Sequence, residues 1–321
     1  MNRLPFLAVL FVFLAFSSAA CVNEYHTKLD GSVTLSDGGP GRIMRETVNR
    51  EQAREKAIRL LEAYRNPVDP NTPLNDRISI YSDYGVQLIY LGEYEKAKRV
   101  YREIERLSPD RYRTASNLGT VYELLGQNDS ALIWIRKAVA LNPHSHGGSE
   151  WIHIKILKYK LRGETKPGSS LLGVNFGTEE LPSNPYRLDL RKLSEHLQRQ
   201  LKERTKLVPP KDPVVGRLYF DLGNITAQTF SAEAALPYYK AALEYGHDTP
   251  LLQTRIAAME DLANSFSLER TIHENRDKLR EYFWLIVVLG SMAFVGGVLI
   301  ARRIVRKIRR CVRAKKQEVN R

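Results

Sequence analysis

Tyr84-Gly-Val-Gln-Leu-Ile-Tyr-Leu-Gly-Glu-Tyr-Glu-Lys-Ala97 and Asn117-Leu-Gly-Thr-Val-Tyr-Glu-Leu-Leu-Gly-Gln-Asn-Asp-Ser-Ala131 carry one pattern twice. Aligning Gly85 with Gly119 places Leu91-Gly92 on Leu125-Gly126, Ala97 on Ala131, Ile104 on Ala138 and Pro109 on Pro143, an offset of 34 residues at every pair. Farther along, Leu222-Gly223, Ala235, Tyr239 and Ala242 keep the mutual spacings of Leu118-Gly119, Ala131, Ile135 and Ala138. A fixed period of this size marks supersecondary units that stack because none can bury its apolar face alone.

Each recurring residue has a mechanical reason. A small residue at Gly85, Gly119 or Gly223 lets the first helix of a pair approach the second, whose small partner is Ala97, Ala131 or Ala235. Gly92 and Gly126 end the first helix, since Gly tolerates the left-handed conformation found there. Tyr101, Ile135 and Tyr239 are expected to fill the space between neighbouring pairs, and Pro109 and Pro143 to stop the second helix.

The pattern resembles the tetratricopeptide repeat. Two units fall at 78–111 and 112–145, and a third at 216–249, where Thr226 replaces the usual Tyr and His247 stands where Pro is usual. The resemblance implies an all-α fold, a solenoid of helix-turn-helix pairs whose first helices line a curved binding surface. It also carries over ligand-facing positions: Ser82, Val86 and Tyr90 in one unit, and Arg113, Ser116, Thr120 and Glu123 in the next. The Lys/Asn set by which some members clamp a C-terminal carboxylate is missing, since Ser82, Val86, Ser116 and Thr120 do not supply it.

Around the repeats, Asp30-Gly31 between Tyr25-His26-Thr27 and Val33-Thr34-Leu35 reads as a hairpin within an N-terminal segment at 21–45. Ala53, Ala57, Leu60, Leu61 and Tyr64 predict a helix from about Asn49, opening a repeat body that extends over 46–265. After Pro143 the period fails, because His153 stands where the small residue is due. Trp151 to Leu161 still reads as helix. Residues 162–186, rich in Gly, Pro and Ser, read as an insertion or loop. Leu190, Leu193, Leu197 and Leu201 mark a helix face that Pro209-Pro210 and Pro213 end. A capping helix at about 250–264 and a juxtamembrane helix at 266–281 follow.

The two ends predict a topology. Arg3, the 13 apolar-run residues from Leu4 to Phe16, and the small residues Ser17 to Ala20 have the order of a secretory signal peptide, residues 1–20. Cleavage there would leave Cys21 first, either as a lipidated thiol or as a free one; Ser18 departs from the large aliphatic residue a lipobox wants. Residues 282–301 are 20 uncharged residues, enough for a transmembrane helix, with Tyr282, Phe283 and Trp284 at one edge. The formal net charge is +13, and residues 302–321 hold ten basic groups against one acid. That basic tail predicts a cytoplasmic C-terminus. The expected protein is therefore a single-pass inner-membrane protein with a periplasmic, extracytoplasmic ectodomain. With the charge gathered in a tail, the body is not a nucleic-acid-binding surface. Ala293, Gly297 and Ala301, four apart, are a face for self-association in the membrane.

Signatures of chemistry are sparse. The phosphate-loop, Gly-x-Ser-x-Gly, His-Glu-x-x-His and Cys-x-x-Cys patterns are absent. Two cysteines, Cys21 and Cys311, form no disulfide framework. His144, His146, Glu150 and His153 are the one cluster with metal-ligand character, and Glu150 and His153 share a helical face. The expected function is that of a membrane-anchored adaptor or scaffold that binds a protein or peptide, with no catalytic residue and no cofactor. The alternatives are a single-pass signalling component with a cytoplasmic partner, and a metal-dependent enzyme built on the histidine cluster.

Overall fold

A computed structural model describes residues 24–36, 47–67, 69–162 and 170–319. The signal-peptide segment, Cys21 and the first part of the insertion lie outside the described residues. These fall into two bodies, divided after Ser265.

The first body is built from helix pairs. Helix α1 (Arg50–Arg65) starts at Asn49, whose side chain accepts the backbone N–H groups of Glu51 and Gln52. Helices α2 (Leu74–Leu91) and α3 (Tyr94–Leu107) make the first repeated pair, and α4 (Tyr112–Leu124) and α5 (Asn128–Leu141) the second. The turns within these pairs are alike. Gly92 and Gly126 have φ +81° and +74°, and the residue after each donates its N–H to a carbonyl five positions back, Leu88 or Tyr122. This closes the exposed end of the first helix, and any residue with a Cβ would be strained there.

The remaining glycines of the pattern act through space. A methyl group at Gly85 would lie 2.7 Å from the Tyr101 ring, and one at Gly119 or Gly223 would lie 2.4 Å from Ile135 or Tyr239. The spacing suggested that the large residues fill the gap between pairs; they cover the glycines within a pair, and Tyr101 in addition reaches the next pair. They follow the alanines by one turn, and helical side chains lean toward the N-terminus, which lays them over the glycine. The buried Tyr101 hydroxyl donates to the Ser82 carbonyl and accepts from Asn117, both at 2.9 Å. Tyr239 donates to Asn224 at 2.9 Å.

Helix α6 (Glu150–Arg162) opens the next pair with His153 in the glycine position. An imidazole there prevents a second helix from closing over α6. Its would-be partner, α7 (Leu190–Leu207), packs more on the helix that follows it. Helices α8 (Pro213–Thr229), α9 (Ala232–Glu244) and α10 (Pro250–Ser265) complete the body. Asp212 caps α8 through the N–H groups of Val214 and Val215, with Pro213 in the first turn. One core joins α2 to α5 with Leu157. A second joins Ile152 and Ile156 to α7–α10 and to Leu171, Leu172, Val174 and Phe176 of the insertion.

Strands β1 (Glu24–Thr27) and β2 (Val33–Ser36) pair antiparallel, with Tyr25 opposite Leu35. This hairpin is fastened to α9. The Thr27 N–H donates to the Glu233 carboxylate at 2.9 Å, and the His26 and Phe230 rings lie 4.6 Å apart.

The second body is α11 (Ser267–Val319), a helix of 53 residues. Among the described residues it is the one helix long and apolar enough to cross a membrane, judged by length and composition.

Candidate functional site

Two sets of residues that the sequence kept apart meet around one cavity of about 180 Å³. Val86 and Tyr90, one turn apart on α2, form one wall. Ser116, Thr120 and Glu123 come from successive turns of α4. His146, Glu150, His153 and Lys160 come from α6 and the turn before it, and Gln200 and Arg204 from α7. Ser82 and Arg113 do not line this cavity. Ser82 is buried under Tyr101, and Arg113 is an exposed side chain paired with Asp83 at 2.5 Å. His144 sits in an exposed turn, its backbone N–H held by Asn142.

Glu123 is the electrostatic centre. It was expected to face an open concave surface, but it is only 8% exposed, because α7 crosses over it. Arg204 grips both carboxylate oxygens, at 2.9 and 3.0 Å. Lys160 approaches one oxygen to 2.8 Å, and His153 Nε2 lies 2.6 Å from the other. Burial alone would raise the Glu123 pKa, but the Arg204 and His153 charges hold it well below the usual carboxylate range. The converse holds at His153, where burial favours the neutral ring but the Glu123 charge and hydrogen bond raise its pKa above the ordinary value. An ionised carboxylate only accepts, so the ring donates from Nε2. Glu150, 3.6 Å from His153 Nδ1 and 3.7 Å from His146 Nε2, is likewise lowered, with the His153 hydrogen bond and charge outweighing burial.

This arrangement is a charge cluster closed upon itself. Among the described residues no group of three or more His, Cys, Asp or Glu side chains is placed to hold a metal ion. The reason at this site is local: His144 is turned away, and the carboxylate nearest His153 is already held by a guanidinium and an ammonium. What the cavity offers is a polar floor bounded by Val86, Ile89, Leu124 and Leu207, with Tyr90, Ser116, Asn117 and Thr120 able to hydrogen-bond an incoming segment.

The sequence reading missed Arg204, Lys160 and Gln200. A signal for the first was present: continuing the stripe of Leu190, Leu193, Leu197 and Leu201 by helical steps arrives at Arg204. A guanidinium on a buried stripe requires a buried anion, and Glu123 is that anion.

The tetratricopeptide repeat family model matches residues 112–145. No curated protein matches the chain at a significant level. A repeat of this kind is the mark of a scaffold for protein–protein interaction. With the matched unit at α4–α5, and pairs of the same glycine-over-large-residue build at α2–α3 and α8–α9, this chain is a tetratricopeptide-repeat protein.

Proposed function

We propose that the protein is a membrane-anchored, non-enzymatic adaptor that docks a protein or peptide segment on the extracytoplasmic side, through the hollow bounded by α2, α4, α6 and α7. The observation that carries the reading is convergence. Val86, Tyr90, Ser116 and Thr120, the positions at which this family meets its ligands, line one cavity and remain partly accessible. The anchoring rests on α11 and on the basic residues that follow its apolar stretch. Export of the body rests on the signal-like order of residues 1–20 and on the side of the membrane that a basic tail prefers.

The test is partner recovery by mild crosslinking of the full-length protein in its membrane. Tyr90→Ala combined with Thr120→Arg removes an aromatic anchor and fills the cavity. Loss of a dominant contact costs about 2 kcal/mol or more, roughly thirtyfold in affinity. Recovery should fall accordingly while helical content is retained. Lys98→Ala with Arg102→Ala, on α3, should leave recovery unchanged. Loss in the α3 pair without loss in the cavity pair would reverse the assignment.

A further inference from the structure

Helix α11 enters its apolar stretch from a charged one. Between Ser267 and Glu281 its only large apolar residues are Leu268, Ile272 and Leu279, and they are 70%, 58% and 68% exposed. They stand four and seven positions apart, on one side of the helix. Asn275 fills the place between the last two, and no charged residue falls on this line. Glu269, His273 and Arg276 lie off it and pair along the helix itself. Arg276 donates to His273 Nδ1 at 2.9 Å, and His273 Nε2 lies 3.8 Å from Glu269. A mostly charged helical segment of this length is marginal in water by itself, and its stability comes from packing its apolar stripe.

The line has a period that selects what covers it. Steps of four, three and four residues join Leu268, Ile272, Asn275 and Leu279, and the same alternation goes on through Tyr282, Ile286, Leu289, Ala293, Gly296 and Ile300. An average step of about 3.5 residues keeps one side of a helix against a second helix that supercoils with it. Ile272 and Ile286 take one class of seam position and Leu268 and Leu289 the other, the distribution that favours two strands. The line also runs unbroken from the charged stretch into the apolar one. A headgroup layer covers only a helix lying in its plane, whereas a collinear helix covers both stretches. Asn275 narrows the choice further. An amide on an apolar seam costs free energy unless it is hydrogen-bonded. In a parallel pair of identical chains the two Asn275 side chains meet at one level, and each amide both donates and accepts. Beyond Ile300 the next two positions are Arg303 and Lys307, so like charges end the seam. We propose that α11 pairs in parallel with α11 of a second copy of this chain, along the seam from Leu268 to Ile300. The proposal rests on reading residues 282–301 as a membrane span, which fixes the two helices parallel. Its seam shares only Ala293 with the face of Ala293, Gly297 and Ala301, and it reaches into the charged stretch.

The experiment uses the full-length protein in its membrane, in a Cys311→Ser background, with single cysteines placed in turn along 268–280. Oxidation with copper phenanthroline is read on non-reducing gels as a band that holds two differently tagged copies. The chain with no introduced cysteine gives the baseline set by Cys21. A disulfide forms only where two Cβ atoms come close, so yields at 268, 272, 275 and 279 should exceed those at 270, 274 and 277 by at least about fivefold. Adding Ile272→Asp and Leu279→Asp to Asn275→Cys should return its yield to the baseline; should that variant fail to fold, the scan alone decides. Equal yields all round the helix, maxima at 270, 274 and 277, no band above the baseline, or cysteines that join only to other proteins overturn the proposal. Alkaline carbonate extraction tests the anchoring separately. A chain that stays in the membrane pellet without the period loses the pairing alone. A chain that is released loses the anchoring, and its pairing is still decided by the gel.

Discussion

Removing the Glu123 carboxylate would leave Arg204, His153 and Lys160 facing one another across the space it fills. Breaking a buried pair by deleting one partner costs about 3–5 kcal/mol, because the other charge stays buried. Glu123→Ala should therefore melt well below the parent when followed by circular dichroism, and an unchanged melt would mean that the cluster does not form. The same side chains set a pH dependence. His153, flanked by Glu123, Glu150 and Arg204, has a folded pKa raised above 6.5, so its contribution is complete below that value and is lost as pH rises through the raised one. Asp221 acts in the same direction: burial pushes it up to about 7, against the Ser170 hydrogen bond and the Arg217 and Arg255 charges. Glu123 and Glu150 are lowered from 4.5, so their contribution is present above that value and is lost as pH falls through the lowered ones. The melting temperature should fall as pH rises, over about pH 4 to 7 through Asp221 and from 6.5 upward through His153, and Asp221→Asn and His153→Gln should each flatten the corresponding part of that slope. A slope unchanged in both variants would place its origin elsewhere. Glu123 also shows where reading by resemblance stops. Its step on the helix placed it with Ser116 and Thr120, which line the same cavity, yet nothing in the repeat itself foretold that a later helix would cover it.

At the scale of elements, the offset of 34 made the pairs α2–α3 and α4–α5 legible and the same internal spacings made α8–α9 legible, because Gly85, Gly119 and Gly223 are needed where side chains cross them closely. Gly119→Ala tests this, since its new methyl group would stand 2.4 Å from Ile135 Cδ1. Overpacking of this kind costs about 1–3 kcal/mol, so the melt should drop measurably. Gly290→Ala is the control, as nothing lies within 4 Å of that position in α11, and its melt should match the parent. The unit opened by α6 was harder to read. His153 announced that the pair could not close, but where the displaced chain went depended on contacts made far along the sequence. Composition made residues 162–186 read as a loop, since Gly, Pro and Ser are abundant there. The apolar residues Leu171, Leu172, Val174 and Phe176 lie in the same stretch, but they keep neither a helical nor a strand period that could outweigh those turn formers.

For the whole molecule, the arrangement about the membrane is the reading with the most direct test. Protease added outside spheroplasts should remove the repeat body and leave the residues after Ile300 intact; protection of 78–249 would invert the topology. A different consequence comes from the fastening of β1 to α9. Thr27 and Glu233 are separated by 206 positions. A ribosome supplies the first long before the second, so the strand waits through the synthesis of eight described helices, α1 to α8, for the carboxylate that secures it. Local pairs such as α2–α3 can form as they emerge, because closing a short loop costs little time or entropy. The fastening of the hairpin cannot, and the array acquires its N-terminal clasp only when α9 is complete. Chains arrested before Glu233 should thus be cut within 24–36 by a brief protease pulse that spares the same residues in the finished protein. The clasp is in effect a mark of completion: it closes only on a chain long enough to contain both of its halves.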